Sequence, residues 1–318
     1  MTVLYQDPTF LNHLTGAHPE RPERLVAIQG MLNKSGLIRM CHAGSFEKLK
    51  VEEVQKVHSP AEVAQLKRLS AQGGGHADAD TVLSPASFDV ALSAAGACVA
   101  AVEAVVAGQH PSALCLVRPP GHHATPVRSM GFCLFNNVAL AVRRALDVHG
   151  LERVLIVDWD VHHGNGTQDI FYEEPRVMFF SIHRFGYGFY PGTGAADETG
   201  TGRGLGYTVN MPLAYGTPRR VYREAYLTAL GRAADKIRPE LVVVSAGFDA
   251  HARDPIGSLG LETEDFATLT QEVLQVAATH AGRRLVSCLE GGYDLTALAE
   301  GVQAHLEGLI GAAGDSRS

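Results

Sequence analysis

The chain has 318 residues, of which 46% are hydrophobic and 19% charged, so it can bury a large core as an ordinary globular protein. Its formal net charge of −7 at pH 7 excludes the basic surface that nucleic-acid binding requires, and we predict no nucleic-acid partner. A weakly acidic surface is compatible with cationic substrates, although it also serves solubility alone.

The cysteines and the N-terminus indicate the compartment. The five cysteines are scattered and mostly embedded in apolar runs, which is typical of reduced core thiols and not of a disulfide framework or a zinc ribbon. The N-terminal segment MTVLYQDPTF lacks the basic start and apolar core of a signal peptide, and we expect no run of membrane-spanning length. The sequence therefore predicts a cytoplasmic protein without a membrane partner, and it is compatible with an oligomer.

Strand-like apolar runs alternate with amphipathic helical segments along almost the whole chain. Repeated βα units of this kind predict an α/β fold with one open, mostly parallel sheet flanked by helices. One helix is predicted to open with Ser84 as N-cap and Pro85 as first helical residue, and to end at Gly108. Three further helices are predicted over residues 137–148, 217–237 and 263–282.

No linker, repeat or change of composition divides the chain, so we predict a single domain over residues 1–318, with residues 312–318 as a frayed tail. Two stretches, 6–24 and 184–206, resist periodic assignment. The second is rich in glycine, with glycines at positions 186, 188, 192, 194, 200 and 202 among others. Loops of this length inside an α/β domain are usually functional walls or lids, which is what we expect of both.

Four apolar runs end in residues of the kinds that bind metals or transfer protons. The runs cover residues 113–117, 153–157, 241–247 and 283–289, and they lead into RPPGHH, DWDVHH, FD and EGGYD. A fifth run, at 177–182, adds another buried strand. Parallel sheets bind ligands at the carboxyl ends of their strands. The pattern therefore predicts a metal-containing active site assembled from strand-end loops.

The metal ligands are predicted from two of these ends. Asp160 and His162 lie two residues apart just past a strand, so their side chains can converge on one point. Asp249 ends another strand that could be the neighbour of the first. Two carboxylates and one imidazole with an open fourth position are typical of catalytic zinc. The same oxygen-rich set also suits Fe(II), Co(II) or Mn(II).

The acid/base residues are predicted from the other ends. His122 and His123 follow a rigid Pro-Pro-Gly turn, and we expect their side chains to diverge, one toward the metal and one deeper. A histidine near a metal site can take and return the proton of a water molecule when its other nitrogen has an orienting partner, for which Asp158 is the candidate. Tyr293 follows two glycines, which allow a tight turn that brings its phenol near the metal.

Taken in order, these motifs resemble a known family. The segments HPERPERL, RPPGHHA, GFCLFNN, VDWDVHHGNGTQ, YPGTG, SAGFDAH and LEGGYDL closely resemble those of the zinc-dependent histone deacetylases, and the class II branch with its bacterial relatives fits best. The resemblance covers nearly the whole chain. It implies an arginase-like fold and a lysine deacylase.

The resemblance also implies a role for each site residue. Zinc would be held by Asp160, His162 and Asp249, with His122 and His123 as the general acid/base pair. Asp158 would orient His122. Structural potassium would lie beside the zinc, held by backbone oxygens of the residues at 158, 160 and 162 together with the residue at 181, a serine.

The substrate would be held by a second set of residues that the resemblance implies. Tyr293 would bind the scissile amide oxygen. The acyl-lysine channel would be walled by Gly131, Phe132 and Tyr190, and Arg24 would lie below the metal, where it is associated with acetate release. At the rim, Asp80 would grip the substrate backbone, with the aspartate at position 78 as a rival.

Three departures from the family pattern bear on this interpretation. Asn165 stands where class I members have an aspartate beside the second histidine, which places the chain in the class II branch. Tyr190 replaces the second channel phenylalanine. Ile256 occupies the rim position where polyamine-specialised members carry a glutamate gatekeeper, which weakens a polyamine interpretation.

We therefore predict a zinc-dependent amidohydrolase that removes acyl groups from lysine side chains of peptides or proteins. One rival is an acetylpolyamine amidohydrolase, which would use the same chemistry on a small acylated amine. Another is a binuclear manganese ureohydrolase, which requires a further carboxylate two residues after Asp249, where this chain has His251. The third is a binding scaffold that has lost catalysis, which the presence of Tyr293 and the ligand residues argues against.

Overall fold

The computed structural model describes residues 1–314, and within them eight strands form one sheet in which every neighbouring pair is parallel. The strand order is β2-β1-β5-β10-β9-β6-β7-β8, and β3 and β4 form a separate antiparallel hairpin. The strands are β1 Val3–Tyr5, β2 His42–Ala43, β3 Gly75–Asp78, β4 Thr81–Leu83, β5 Ser112–Cys115, β6 Val154–Asp158, β7 Val177–Arg184, β8 Thr208–Leu213, β9 Leu241–Ala246 and β10 Leu285–Leu289.

Helices flank this sheet in two groups. Helices α4 and α5 pack on each other and contact β5, β10 and β9. Helices α1, α9, α8 and α7 pack in this order, each on the next; α7 contacts β6, β7 and β8, α8 contacts β9, and α9 contacts β5. The helices are α1 Glu23–Ser35, α2 Val51–Val54, α3 Pro60–Ala71, α4 Ser87–Val106, α5 Asn137–Asp147, α6 Asn165–Phe171, α7 Arg219–Ile237, α8 Thr263–His280 and α9 Leu295–Gly314. Short 3-10 turns occupy Pro8–Asn12, Leu37–Met40 and Gly202–Gly204. The predicted α/β class is confirmed.

The central strands consist mostly of β-branched and aliphatic residues. All residues of β5, β6, β9 and β10 are buried, as expected for parallel strands covered on both faces. These four strands are adjacent in the order β5-β10-β9-β6. Their carboxyl ends therefore lie side by side, which brings together the four polar segments that follow them.

The start of α4 differs from the prediction. The helix begins at Ser87, and Ser84 lies in the preceding turn, where its backbone N–H donates to Ser87 Oγ at 2.7 Å. The Ser87 N–H in turn donates to the Ser84 carbonyl at 3.0 Å. Ser84 and Pro85 therefore close a turn before the helix instead of capping it.

The helix α4 also corrects the expectation that no apolar run reaches membrane-spanning length. Ser87–Val106 is long and apolar enough to cross a membrane, with a mean hydropathy of 1.8, but 78% of that window is buried inside the protein. Because this helix packs against the sheet and α5, its hydrophobicity is accounted for by core packing. By itself the finding is weak evidence for a membrane span.

The frayed tail predicted for residues 312–318 is wrong for its first part. Residues 312–314 belong to α9, whose Ala313 is buried. The other residues of that prediction, 315–318, lie outside the described part of the chain.

Candidate active site

Asp160, His162 and Asp249 form a compact group at the ends of β6 and β9. One ligand-type atom from each lies within 4.8 Å of the other two, and all three side chains are buried. His162 Nδ1 is 3.1 Å from Asp160 Oδ1 and 3.1 Å from Asp249 Oδ2. The pairing of Asp158 with Ser245 in the β6–β9 register sets the two strand ends level, so the three groups predicted as ligands are brought together.

Backbone N–H groups hold the remaining carboxylate oxygens. The Gly291 N–H donates to Asp160 Oδ2 at 2.8 Å, and the Val161 N–H donates to Asp249 Oδ1 at 2.9 Å. A Cβ added at Gly291 would lie 2.5 Å from Asp160 Oδ2, so a larger residue at this position would displace the carboxylate. The glycine therefore allows the end of β10 to approach the carboxylates closely.

The electrostatics of this group fit a bound cation. Burial and the charge of Asp160 raise the pKa of Asp249 to about 7. Burial opposes a charge on His162, but hydrogen bonds to Asp160 and Asp249 outweigh it and raise its pKa to about 9. Two buried carboxylates repel each other unless a cation lies beside them, and a divalent ion with oxygen and nitrogen ligands would supply that positive charge.

His122 and His123 each have a different partner beside this group. His122 Nδ1 lies 2.9 Å from Asp158 Oδ2, and His123 Nδ1 lies 2.7 Å from Asn165 Oδ1. His122 Nε2 is 3.8 Å from Asp160 Oδ1. The two ring centroids are only 4.0 Å apart, so the expectation that the side chains diverge is wrong. They follow a turn and not an extended segment, and their rings therefore lie against each other.

The two partners give the histidines opposite pKa shifts. Burial disfavours a charge on His122, but the carboxylates of Asp158 and Asp160 outweigh it and raise its pKa well above the usual value. Burial and the positive charge of His122 hold the pKa of His123 well below it. One member of the pair is thus suited to remain protonated and the other to accept a proton.

Glu290 fixes the turn that carries the histidines, and the sequence reasoning gave it no role. Its Oε2 accepts the Gly121 N–H at 2.7 Å and the His122 N–H at 3.2 Å, and its Oε1 accepts the Ser245 hydroxyl at 3.1 Å. Burial raises its pKa to about 7. One sequence signal could have identified Glu290: it follows a buried strand directly and precedes Gly-Gly-Tyr.

Tyr293 is held from its backbone by another residue that sequence reasoning missed. The Tyr293 N–H donates to Asp254 Oδ2 at 2.7 Å, while Asp254 Oδ1 accepts the N–H groups of Ile256 and Gly257 at 2.9 Å each. The Tyr293 ring meets Phe132 edge to face, with centroids 5.8 Å apart. Ile256, predicted at the rim, is thus tied to the loop that positions the phenol.

Aromatic residues wall the approach to the group of ligands. The Tyr190 ring lies 5.1 Å from that of His123 and 6.3 Å from that of His162. A Cβ added at Gly131 would lie 2.9 Å from the Tyr190 hydroxyl, so the two predicted walls meet here. Phe189, which the prediction omitted, stacks on His162 with centroids 5.1 Å apart and an interplanar angle of 3°.

Asp80 lies on the surface near the channel wall. Its Oδ1 is 3.3 Å from His18 Nε2, and the His18 ring contacts Phe132 edge to face with centroids 4.4 Å apart. Asp78, the rival, accepts the Asp80 N–H at 3.0 Å and pairs with Arg128 at 3.6 Å. Asp80 is therefore the more exposed of the two carboxylates, and Asp78 shapes its turn.

Arg24 is fully buried beneath the turn that carries Tyr293. Its Nε donates to the Gly292 carbonyl at 2.7 Å, and its Nη1 pairs with Glu20 at 3.2 Å. The Arg24 guanidinium carbon lies 5.1 Å from the centroid of the Tyr293 ring. Arg118 also pairs with Glu20, and together the two arginines hold the pKa of that carboxyl at about 2, against the effect of burial.

Two of the residues predicted to surround potassium lie on neighbouring strands, and the other two, Asp160 and His162, follow the end of β6. Asp158 and Ser181 are register partners in β6 and β7, and both are fully buried. Ser181 Oγ is 2.9 Å from His183 Nδ1. These residues are oxygen-rich and close to the carboxylates, as a hard monovalent cation requires.

His251 does not supply the second-metal ligand of a ureohydrolase. Its Nδ1 accepts the Arg253 N–H at 3.1 Å, and its Nε2 lies 3.8 Å from Glu262 Oε2, away from the carboxylates. Among residues 1–314, the converging group that contains carboxylates is the one formed by Asp160, His162 and Asp249. This group therefore offers a position for one metal ion.

Comparisons with known proteins agree with this geometry. The histone deacetylase domain matches residues 18–309 of the chain. The histone deacetylase-like amidohydrolase of Pseudomonas aeruginosa is 41% identical over 276 residues, which cover 87% of this chain and 72% of that protein. The polyamine deacetylase HDAC10 of Homo sapiens is 44% identical over 303 residues, covering 92% of this chain but only 44% of the human protein.

A solved structure supports the same assignment. The crystal structure of the HDA15 HD domain superposes with a TM-score of 0.92 and 37% identity, covering 98% of this chain and 88% of that one. The fold and the relatives define a hydrolase that acts on amides, with an arginase-like α/β architecture. The chain belongs to the histone deacetylase family.

Proposed function

We propose that this protein is a zinc-dependent deacylase that removes acetyl or other acyl groups from lysine side chains of peptides or proteins. The observation that carries the proposal is the position of the paired histidines beside the predicted ligands, with His122 Nε2 at 3.8 Å from Asp160 Oδ1 and the His123 ring centroid at 5.9 Å from that of His162. A proton-transfer pair at this distance serves a reaction at the metal site, since general bases act within hydrogen-bond reach or through one water.

Asp160, His162 and Asp249 would hold the zinc ion. When bound, zinc supplies a Lewis acid that polarises the amide carbonyl and makes water more acidic. The donor set supports one such ion with an open position, because three protein ligands converge. One oxygen of each carboxylate, Asp249 Oδ1 and Asp160 Oδ2, already accepts a backbone N–H.

His123 would act as the general base. With its Nδ1–H donated to Asn165 Oδ1, its Nε2 carries the free lone pair and can accept a proton from the attacking water. Because its pKa is lowered, it is neutral and ready to accept at neutral pH. After attack, a protonated histidine returns the proton to the leaving lysine amine, and no covalent intermediate forms.

His122 would contribute mainly by charge. Asp158 holds it in the imidazolium form, which stabilises negative charge that develops on the substrate. The Tyr293 hydroxyl would donate a hydrogen bond to the amide oxygen of the substrate; Asp254 holds the tyrosine backbone, and Phe132 contacts its ring. Gly131, Phe132 and Tyr190 would enclose the aliphatic stem of the acyl-lysine.

A small acylated polyamine is the second candidate substrate. It is favoured by the 44% identity to the human polyamine deacetylase, and the acidic net charge of −7 is compatible with a cationic substrate. Against it, position 256 holds isoleucine, whereas a distal ammonium group would be bound best by a carboxylate there. We therefore favour acyl-lysine, with Asp80 at the rim accepting the substrate backbone N–H groups.

A substrate panel tests the proposal. Fluorogenic acyl-lysine peptides from acetyl to long acyl are compared with acetylspermidine, each with and without a chelator. We expect chelator-sensitive turnover and a higher kcat/KM for an acyl-lysine peptide. A higher kcat/KM for acetylspermidine would establish the polyamine alternative, and chelator-resistant turnover would overturn the zinc assignment.

The remaining assignments follow from the same proposal. A structural potassium ion would lie beside Asp158 and Ser181, which potassium-dependent activity and stability would test. We propose a cytoplasmic location for the enzyme. We propose neither a nucleic-acid nor a membrane partner.

A further inference from the structure

Three cysteines outside the predicted metal ligands meet at one point of the core. The Sγ atoms of Cys98, Cys115 and Cys288 all lie within 4.8 Å of one another, and the three residues are fully buried. They come from α4, β5 and β10, which are far apart in sequence. Three of the five cysteines in the chain thus share one site.

Strand register and helix packing bring the thiols together. Cys115 and Cys288 are direct partners in the parallel β5–β10 pair, and α4 lies across these two strands. The Cys115 thiol lies 3.8 Å from the Ala97 carbonyl, next to Cys98. The three sulfurs therefore occupy the corners of a triangle between the sheet and the helix.

The surroundings determine which ligand such a triangle can hold. All three cysteines belong to the hydrophobic core, where a net charge is costly. Three thiolates around a monovalent or divalent soft ion would leave the complex with a net negative charge. Three thiolates around a trivalent centre form a neutral complex. Charge therefore favours a trivalent ligand that bonds to sulfur.

We propose that Cys98, Cys115 and Cys288 form a trithiol binding site for a trivalent thiophile of the arsenous acid class. In the binding step three S–As bonds form and three As–O bonds break. The three thiol protons leave with the three hydroxyl groups as three molecules of water, and no oxidant or reductant is consumed. The reaction is As(OH)3 + 3 RSH → As(SR)3 + 3 H2O.

The uncharged form of the ligand suits the location. Burial raises the pKa of Cys98 and Cys115 well above the usual value, whereas hydrogen bonds with these two thiols lower the pKa of Cys288 to about 5, so the free site holds at least two neutral thiols. Arsenous acid is neutral at pH 7 and carries the hydroxyl groups that remove these protons, whereas a metal cation would have to enter the apolar core as a charge. Because the thiols are fully buried, entry requires local opening of α4 from the sheet, and binding is slow.

The site also has a structural consequence. The strand β5 leads to the turn that carries His122 and His123, and β10 leads to Glu290 and Tyr293. Three As–S bonds would fasten these two strands and α4 to one another. We therefore expect the complex to unfold at a higher temperature than the free protein, because the ligand binds the native arrangement of thiols.

The test uses the folded full-length protein, reduced and then incubated with arsenite. We expect one arsenic per chain after gel filtration, and a fall in titratable thiols from five to two when the complex is denatured and assayed at once. X-ray absorption should show three sulfur neighbours around arsenic. At high arsenite the binding rate should reach a plateau set by the opening of α4.

Variants distinguish the site from incidental thiol binding. Single Cys98→Ala, Cys115→Ala and Cys288→Ala variants should each shorten the residence time of arsenic by about tenfold or more, since two sulfurs hold it less firmly than three. Cys41→Ser, at the half-buried cysteine outside the triangle, should bind like the wild-type protein. Circular dichroism checks that each variant is folded.

Two results would overturn the proposal. One is a residence time of arsenic that is unchanged in all three alanine variants or is shortened in Cys41→Ser. The other is a three-sulfur site that forms with Cu(I) or Zn(II) but not with arsenite, which would show that net charge does not select the ligand.

Discussion

Asp254 accepts the backbone N–H of Tyr293 at 2.7 Å, although the two residues belong to different loops. Its other oxygen accepts the N–H groups of Ile256 and Gly257 at 2.9 Å each. One carboxylate therefore joins the loop after β9 to the loop after β10. The position of the phenol depends on these hydrogen bonds, because the two preceding residues, Gly291 and Gly292, restrict the backbone dihedral angles very little.

Asp254→Asn should lower turnover without loss of metal. Asparagine has the same shape as aspartate, but its NH2 group cannot accept a hydrogen bond. At least one of the three backbone N–H groups would therefore lose its acceptor, and the Tyr293 loop would shift. A misplacement of ~1 Å can lower kcat by ~10²-fold, which is the largest effect that we expect. The measurement is kcat together with zinc content. Asp294→Asn is the matched control, because Asp294 only caps α9 and asparagine caps equally well. Equal kcat in the two variants would refute the role.

Tyr293→Phe tests the hydroxyl alone. If the phenol donates to the developing oxyanion, its removal should lower kcat by ~10²–10³-fold and leave zinc content unchanged. The ring contact with Phe132 is retained, so stability should be close to that of the wild-type protein. An unchanged kcat would show that the tyrosine only packs.

Asp160→Ala and Asp249→Ala should each abolish zinc binding and activity. A site with three protein ligands loses an anionic ligand and part of its N–H network at once, because each carboxylate also accepts a backbone N–H. Zinc content by mass spectrometry and turnover are measured. Asp89→Ala is the control, since Asp89 forms an exposed ion pair with Lys48, and such pairs contribute little. Wild-type zinc content in Asp160→Ala or Asp249→Ala would exclude that residue as a ligand.

His123→Ala should lose most turnover, and His122→Ala should retain some. His123 is active only when neutral, so activity falls as pH falls through its pKa, which burial and His122 hold below the reference value of ~6.5. We therefore expect a bell-shaped profile of kcat/KM whose acidic limb lies below pH ~6.5 and belongs to the coupled pair. An unchanged acidic limb in His123→Ala would remove this histidine from the role of base.

Two other histidines should make folding stability depend on pH. Burial lowers the pKa of His58 to about 4 and that of His305 to about 3. In the unfolded chain both have a pKa of ~6.5, so between these values the unfolded state binds more protons. The stability that they contribute is complete above pH ~6.5 and falls as pH decreases toward about 4 and about 3.

The expected change is roughly 1.4 kcal/mol per pH unit for each histidine. We would measure the free energy of unfolding by urea denaturation from pH 7.5 to 5 in chelator-treated protein, so that metal loss does not contribute. His305→Gln should be less stable at pH 7.5 and show a shallower decline, while the exposed His76→Gln should follow the wild type. Parallel curves for all three proteins would contradict this account.

The sequence alone predicted the fold class and the strands that carry the candidate site. Buried parallel strands are continuous apolar runs, and β5, β6, β9 and β10 were recognisable for that reason. The motifs after them also allowed the family to be identified. The helix start at Ser87 was missed because Ser84-Pro85 has the same residues whether it caps a helix or closes a turn.

Only the tertiary structure decided which groups face each other. Local patterns carry no information on strand order, and the order β5-β10-β9-β6 is what places Glu290 against Gly121 and Asp254 against Tyr293. The same order gives the paired histidines their opposite pKa shifts, since these depend on burial and on charges from other strands. The residue types determine which chemistry is available. The distances between these residues exist only in the folded chain, and they determine how the reactive groups are arranged.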